Sequence, residues 1–204
     1  SNLLNVNNFM YKNQNVLDLG CGKSKILKLG IDYTNYTGYD HDVYVLLKNM
    51  KNMRNNSINY VEFNYIDLAD DWNNTPDKFY DVKYKKYMNI YAINSLMHFN
   101  TNKFWEQMDK VSEKGSRFLF NILQSNTNKE IYWVENNSYL KQNDDKIELY
   151  FENIHSKPLI EKYITIKDVE KYLKKYSFNI IYKYSSSNYN ITDLYDWYVC
   201  EKMI

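Results

Sequence analysis

Short apolar runs alternate with stretches of helical-period apolar residues over the first two-thirds of this chain. Residues 16–19 and 36–39 read as two buried strands, the second ending at Asp40. Asp42 is placed to cap a helix over 43–53, where Val43, Leu46, Leu47 and Met50 recur at helical spacing. Residues 58–63 read as a third strand, followed by a polar loop, and 88–93 as a fourth. A helix over 101–111 carries Phe104, Met108 and Val111 on one side. The turn Glu113-Lys114-Gly115 then leads into a fifth strand at 117–123. Strands alternating with helices argue for a mostly parallel sheet joined by right-handed crossovers.

The rhythm then changes. Residues 131–142 and 146–151 read as extended segments about the turn Asn143-Asp144-Asp145, an inserted lobe over about 124–164. Thr165-Ile166-Lys167-Asp168 has the form of a capping box, with Asp where Glu or Gln is usual. The helix it opens carries Val169, Tyr172, Leu173 and Tyr176. Strands at 178–184 and 195–202 close a seven-stranded sheet, with a Ser-rich loop at 185–188 between them. No internal repeat is visible. The expectation is a single Rossmann-like α/β domain over 1–204 carrying that lobe.

Composition changes the picture in three ways. The 26 basic and 25 acidic residues leave no global charge to draw the chain to nucleic acid, so any RNA contact is local. Cys21 and Cys200 sit in apolar strand patterns, which suggests buried thiols in a reducing compartment, and no Cys/His cluster has zinc-site spacing. No apolar run nears the ~20 residues of a membrane-spanning helix, so no membrane partner is expected and the cytoplasm is the expected location. The 22 tyrosines, against 5 glycines and 2 prolines, fit AT-rich coding DNA, as in some large DNA viruses, cytoplasmic plasmids and parasites. Ser1-Asn2 reads as a tag scar, and the early glycine turn as a sign of native sequence upstream.

The chemistry concentrates at Asp18-Leu19-Gly20-Cys21-Gly22-Lys23. An apolar run meets an acid, then two glycines one residue apart, then an expected helix start. Glycine lets the backbone turn tightly and a ligand approach, because it has no Cβ. A dinucleotide loop needs a third glycine near position 25, and Lys25 is there. Asp40, 20 residues after Gly20, can accept both ribose hydroxyls of a nucleoside lying over the turn. Asp67 follows the third strand, where a carboxylate can accept from an adenine amino group. Adenosine held without a phosphate cradle points to S-adenosylmethionine (SAM), and Asp-Leu-Gly-Cys-Gly is typical of enzymes that use it. Asp18 then faces the amino group of the methionine part.

Several distant segments together resemble messenger-RNA cap guanine-N7 methyltransferases, above all the methyltransferase domains of viral and cytoplasmic-plasmid capping enzymes. The resemblance covers about residues 15–202. Val-Leu-Asp-Leu-Gly-Cys-Gly-Lys at 16–23 is similar to the family's first motif, which implies Lys23 near the cap phosphates. Asn94-Ser95-Leu96-Met97-His98-Phe99 resembles Gln-Phe-x-x-His-Tyr after strand four. That implies His98 against the cap guanine, Phe99 as a stacking face without the family's hydroxyl, and Asn94 on the cofactor side. Glu161-Lys162-Tyr163-Ile164 resembles a Glu-x-Leu-Val element, which implies Glu161 on the guanine edge. Leu194-Tyr195 resembles a closing-strand pair, which implies Tyr195 in the cap pocket. The chain departs from the family at Ser24, where a third glycine is usual, and at Asn89, where strand four usually opens with Asp. Asn7-Asn8 with Lys12 stands too close to the first motif to match an upstream Asn-Asn-x-x-Lys element.

The resemblance implies a class I SAM-dependent methyltransferase that converts GpppN to m7GpppN and releases S-adenosylhomocysteine. SAM is an activated donor, and N7 has a free lone pair and loses no proton. The expectation is therefore in-line displacement with no catalytic base, no nucleophile and no metal. Expected partners are a capped RNA 5′ end and triphosphatase or guanylyltransferase domains in the same polypeptide or another subunit, since no Lys-x-Asp-Gly motif for guanylyl transfer is present. Plain alternatives stand beside each residue: helix capping for Asp40, solvated side chains for Asp67, Lys23 and Glu161, a structural role for His98 and packing for Tyr195. Two other functions also stand, a SAM methyltransferase acting on a small molecule or protein, and a non-catalytic stimulatory subunit with a methyltransferase fold.

Overall fold

A computed structural model describes residues 2–29, 33–52, 61–65, 86–124, 130–133, 137–143, 146–150, 152, 157–185 and 194–204. After a short helix α1 (Asn2–Asn7), strand β1 (Gln14–Leu19) enters the glycine turn. A 3-10 turn (Ile26–Leu29) follows in place of the expected helix start, because Ser24 takes a positive φ of 51° that an α-helix cannot hold. Then come β2 (Tyr33–Asp40), α2 (Val43–Asn52), β3 (Val61–Tyr65) and β4 (Asn89–Ala92). Next are α3 (Leu96–Phe99), α4 (Asn102–Val111) and β5 (Arg117–Leu123). Strands β6 (Glu130–Trp133), β7 (Ser138–Asn143), β8 (Lys146–Tyr150) and β9 (Leu159–Lys162) precede α5 (Ile166–Lys175), β10 (Phe178–Tyr184) and β11 (Tyr195–Lys202).

The main sheet has the order β10-β11-β5-β4-β1-β2-β3. Strands β1 to β5 pair in parallel, and β11 runs antiparallel between β5 and β10. Strand order therefore reverses between β1 and β4, the switch point where open α/β sheets bind ligands. Sequence and structure agree on β5, β10 and β11 to the residue. The span 131–142 differs: it is two strands, β6 and β7, of a separate antiparallel sheet β6-β7-β8-β9. The third strand begins at Val61 in the structure, and residues 58–60 lie outside the described residues.

Period-two alternation buries both faces of the main sheet. Leu17, Leu19, Ile90, Ala92, Phe118 and Phe120 face one layer; Val16, Tyr36, Tyr91, Leu119 and Val199 face the other. Trp105 centres the first layer. It is fully buried, stacks on Tyr172 at 5.9 Å and meets Phe104, Phe118 and Phe178 edge-on. Its indole N–H donates to Asn100 Oδ1 at 2.7 Å. Helix α5 begins with the expected capping box: Thr165 Oγ1 accepts from the Asp168 N–H, and Asp168 Oδ2 accepts from the Thr165 N–H at 2.8 Å. That last bond and one from the Thr165 hydroxyl, which donates to the same Oδ2 at 2.8 Å, hold the Asp168 carboxyl below its usual range.

Two sequence oddities find physical reasons. Asn89 binds both main-chain groups of Tyr11, accepting from its N–H at 3.0 Å and donating to its carbonyl at 2.8 Å. An Asp carboxylate could make only the first bond. On α2, Val43, Leu46, Leu47 and Met50 form the expected packing stripe, yet of the four only Leu46 is buried, with Asn49 beside it, and the other three are exposed. Asn49 Nδ2 donates to the Gly22 carbonyl at 2.6 Å and to Ser24 Oγ at 3.0 Å, and these bonds set the roll of the helix.

Trp105→Ala should lower unfolding free energy by ~3–5 kcal/mol, the usual cost of an aromatic-sized cavity, read as a lower urea midpoint at unchanged slope.

Candidate functional site

The end of β1 is pinned to the end of β2 by main-chain bonds. The Tyr39 carbonyl accepts from the N–H groups of Gly20 at 2.8 Å and Cys21 at 2.9 Å. Asp40 Oδ2 accepts from the Gly22 N–H at 2.8 Å, and Asp40 Oδ1 from the Asp42 N–H at 2.9 Å. Asp40 is thus buried and fixed by two donors, with further lone pairs on both oxygens for a ligand. Asp42 also caps α2, its Oδ1 accepting from the N–H groups of Tyr44 and Val45. Helix capping, the plain alternative for Asp40, thus falls to Asp42.

Glycine is required at position 20 twice over. Its φ is +69°, and an added Cβ would lie 2.5 Å from the Ser95 Cβ. Ser95 is held there by donating its hydroxyl to the Leu19 carbonyl at 2.8 Å. Gly22 has a φ of +46°, but a Cβ there would meet nothing within 4 Å.

These residues open onto a cleft of about 550 Å³ at the switch point, a size suited to a small-molecule ligand. Asp18, Gly20, Gly22 and Asp40 line it from β1 and β2; Asn94, His98 and Phe99 line it from the β4 side, with Lys23 from the glycine turn. Lys23, Asn94 and His98 are exposed, while Phe99 is buried and packs on Phe104 at 4.8 Å between ring centres. Phe99 therefore shapes the wall and does not present an open stacking face. Tyr195 does not line the cleft. It is half-buried where the main sheet, β11 and the second sheet meet, packing against all three hydrophobic clusters. Of Glu161 only the main chain, paired with Ile147 in the β8–β9 ladder, is described. Asp67 lies outside the described residues.

Three further residues build the site without a signal in the sequence. Tyr36 donates its hydroxyl to Asp18 Oδ2 at 2.6 Å, and both side chains are buried. Asn121, on β5, binds Asn94. Ser95 sets the floor under Gly20. Each acts across the sheet, from a residue 18 or more positions away.

Burial is the largest influence on Asp18 and pushes its carboxyl up from 3.8 to about 7; the Tyr36 bond opposes this and the nearby Asp40 charge adds to it. A carboxylate left this costly to ionise gains from a cationic ligand. Burial also pushes the Cys21 thiol well above its ordinary range, so that thiol is inert at neutral pH. Among the described residues no group of His, Cys, Asp and Glu is arranged to hold a metal ion, and no helix among them is long and apolar enough to cross a membrane.

No family model matches the chain, and no curated protein matches it either. Solved structures do. A SAM-dependent methyltransferase from Clostridium acetobutylicum superposes with a TM-score of 0.60 at 15% identity, over 100% of this chain and 88% of that one. The CcbJ methyltransferase from Streptomyces caelestis gives 0.66 at 13%, over 98% and 87%. The glycopeptide N-methyltransferase MtfA, solved with SAM bound, gives 0.64 at 11%, over 98% and 92%. The fold is the Rossmann-like fold of class I SAM-dependent methyltransferases.

Two outcomes follow from the site's geometry. Gly20→Ala should destabilise the chain by more than Gly22→Ala, since both strain a positive φ but only the first forces Cβ into Ser95. Chemical denaturation of the pair reads the difference. Asp18 binds its proton more tightly folded than unfolded, so its contribution is full below about pH 4 and falls as pH rises to about 7. Asp18→Asn keeps an acceptor for Tyr36 and should be more stable than the parent at pH 8, with a flatter stability profile from pH 4 to 7. A parent-like profile in that variant would refute the assignment.

Proposed function

We propose that this chain transfers a methyl group from SAM to N7 of the guanine that caps an RNA 5′ end. The observation that carries the donor half is the convergence of Asp18, Gly20, Gly22 and Asp40 on one cleft at the switch point. The residues fit SAM. Gly20 lets the turn close onto Ser95, the space beside Gly22 is open to a ligand, Asp18 suits an ammonium group, and Asp40 suits ribose hydroxyls. The acceptor half is supported by Lys23 and His98, exposed on the rim of the same cleft at the positions that resemble the capping family's motifs.

Bound SAM supplies a methyl group already activated by its sulfonium. The chain's own task is positional. Asp18 and Asp40 fix the donor end, while His98 and Lys23 orient the purine and the cap phosphates. Phe99 forms part of the wall behind them. N7 gives up no proton, so none of these residues has to act as a base. On this reading Glu161, on β9, accepts from the guanine edge. The partners are the capped RNA end and the triphosphatase and guanylyltransferase activities that create it, in a cytoplasmic setting. One observation favours a second reading, methyl transfer to a small molecule or protein: Tyr195 does not reach the cleft wall.

Incubation with labelled SAM and GpppN-ended RNA, followed by nuclease digestion, should yield labelled 7-methyl-GpppN. Label on ribose or on protein would move the assignment to the second reading. His98→Ala should cut kcat/KM on capped RNA by ~10–100-fold with SAM affinity unchanged, as for one lost charge-assisted contact. Asp18→Ala should abolish SAM binding by calorimetry. Equal loss of SAM affinity in both variants would contradict this division of roles.

A further inference from the structure

The turn after β4 is held by an amide pair whose polarity is forced. Asn94 has a φ of +54°, and its main-chain N–H donates to Asn121 Oδ1 at 2.6 Å. A main-chain N–H can only donate, so the oxygen of the Asn121 amide must face it. Asn121 Nδ2 is then the atom that meets the Asn94 side chain, and it donates to Asn94 Oδ1. Asn121 is fully buried in β5, with no room to exchange these partners for water. Asn94 Oδ1 is thereby turned back onto β5, and the side-chain group left to face away from it at this exposed, cleft-lining residue is Nδ2, a donor.

Asp18 gives the same cleft the opposite polarity: a buried carboxylate whose Oδ2 is taken by Tyr36 and whose remaining capacity is to accept. One wall, at the end of β1, accepts; the other, at the turn after β4, donates. That pairing complements a zwitterion, with an ammonium at one end and a carboxylate at the other. We infer that Asn121 is a positioning residue that sets the polarity of Asn94, so that Asn94 donates to the carboxylate at the amino-acid end of the bound donor while Asp18 accepts from its ammonium. The inference rests on the reading of the cleft as a SAM site.

The test compares SAM with decarboxylated SAM by titration calorimetry on the full chain. The parent should prefer SAM by ~10–100-fold, the range for a hydrogen bond to a charged group. Asn94→Asp replaces Nδ2 by an oxygen, keeps a residue type tolerant of positive φ, and should bring the preference to unity or reverse it. Asn121→Leu removes both bonds without touching the ligand, leaves the Asn94 amide free to turn over, and should also lower the preference. Loss of packing alone would weaken both ligands together and keep their ratio. If the Asn121 variant fails to fold, the exposed Asn94 variant decides the matter. A parent-like ratio in Asn94→Asp, or a parent that binds both ligands equally, overturns this inference and leaves the SAM reading standing. A parent that binds neither ligand overturns both.

Discussion

The Tyr39 carbonyl, taking the N–H groups of both Gly20 and Cys21, is the contact on which the rest of the site depends. Two donors on one acceptor force the chain leaving β1 to fold back over the end of β2. Asp40 then takes the next free N–H, at Gly22. Three residues in that turn, Gly20, Gly22 and Ser24, take positive φ. Glycine does so at little cost, and the serine is held by Asn49 from α2. Ser24 thus performs the conformational duty of the third glycine that the related motif carries. The same bonds that hold it rotate α2 so that Asn49 faces inward and an apolar stripe faces out. The two bonds from the buried Asn49 amide go with the outward turn of Val43, Leu47 and Met50.

Asparagine and tyrosine, abundant in this chain, serve as its internal fasteners. Asn89 takes both main-chain groups of Tyr11, Asn121 takes two groups of Asn94, and Asn7 accepts the hydroxyl of the fully buried Tyr91. An amide carries a donor and an acceptor without charge, so it can be buried when both ends are satisfied, at a fraction of the cost of an ion. The buried Lys202 ammonium pairs with the exposed Asp109 carboxylate, is further tied to the Tyr176 carbonyl and lies over the Phe178 ring. It joins β11 to α4 and α5 at the far side of the sheet from β3. The abundance of asparagine and tyrosine is in this way absorbed into structure.

The cleft divides by origin. One side comes from the ends of two adjacent parallel strands and is fixed by main-chain bonds. Its other side comes from the turn after β4, held by a single residue of β5. Tyr195 joins these to the second sheet by packing, since it touches the core on both faces of the main sheet and the cluster of Leu123, Leu140, Ile147, Leu149 and Leu194. Movement of the second sheet would therefore be felt at β11 before it was felt at Asp18.

The sequence by itself determined what depends on near neighbours. Alternating apolar residues marked β5, β10 and β11 to their end residues, Thr165 and Asp168 announced their helix, and the Asp18-to-Gly22 turn with Asp40 marked the cleft, because strand period, capping and glycine geometry are written within a few residues. Only the tertiary structure decided the roll of α2, the division of 131–142 into two strands, the burial of Phe99, the position of Tyr195 away from the cleft, and the roles of Tyr36, Ser95 and Asn121. Each of these is settled by a hydrogen bond or a packing contact between residues far apart in the chain, and no local pattern encodes which distant polar group a strand will bring alongside.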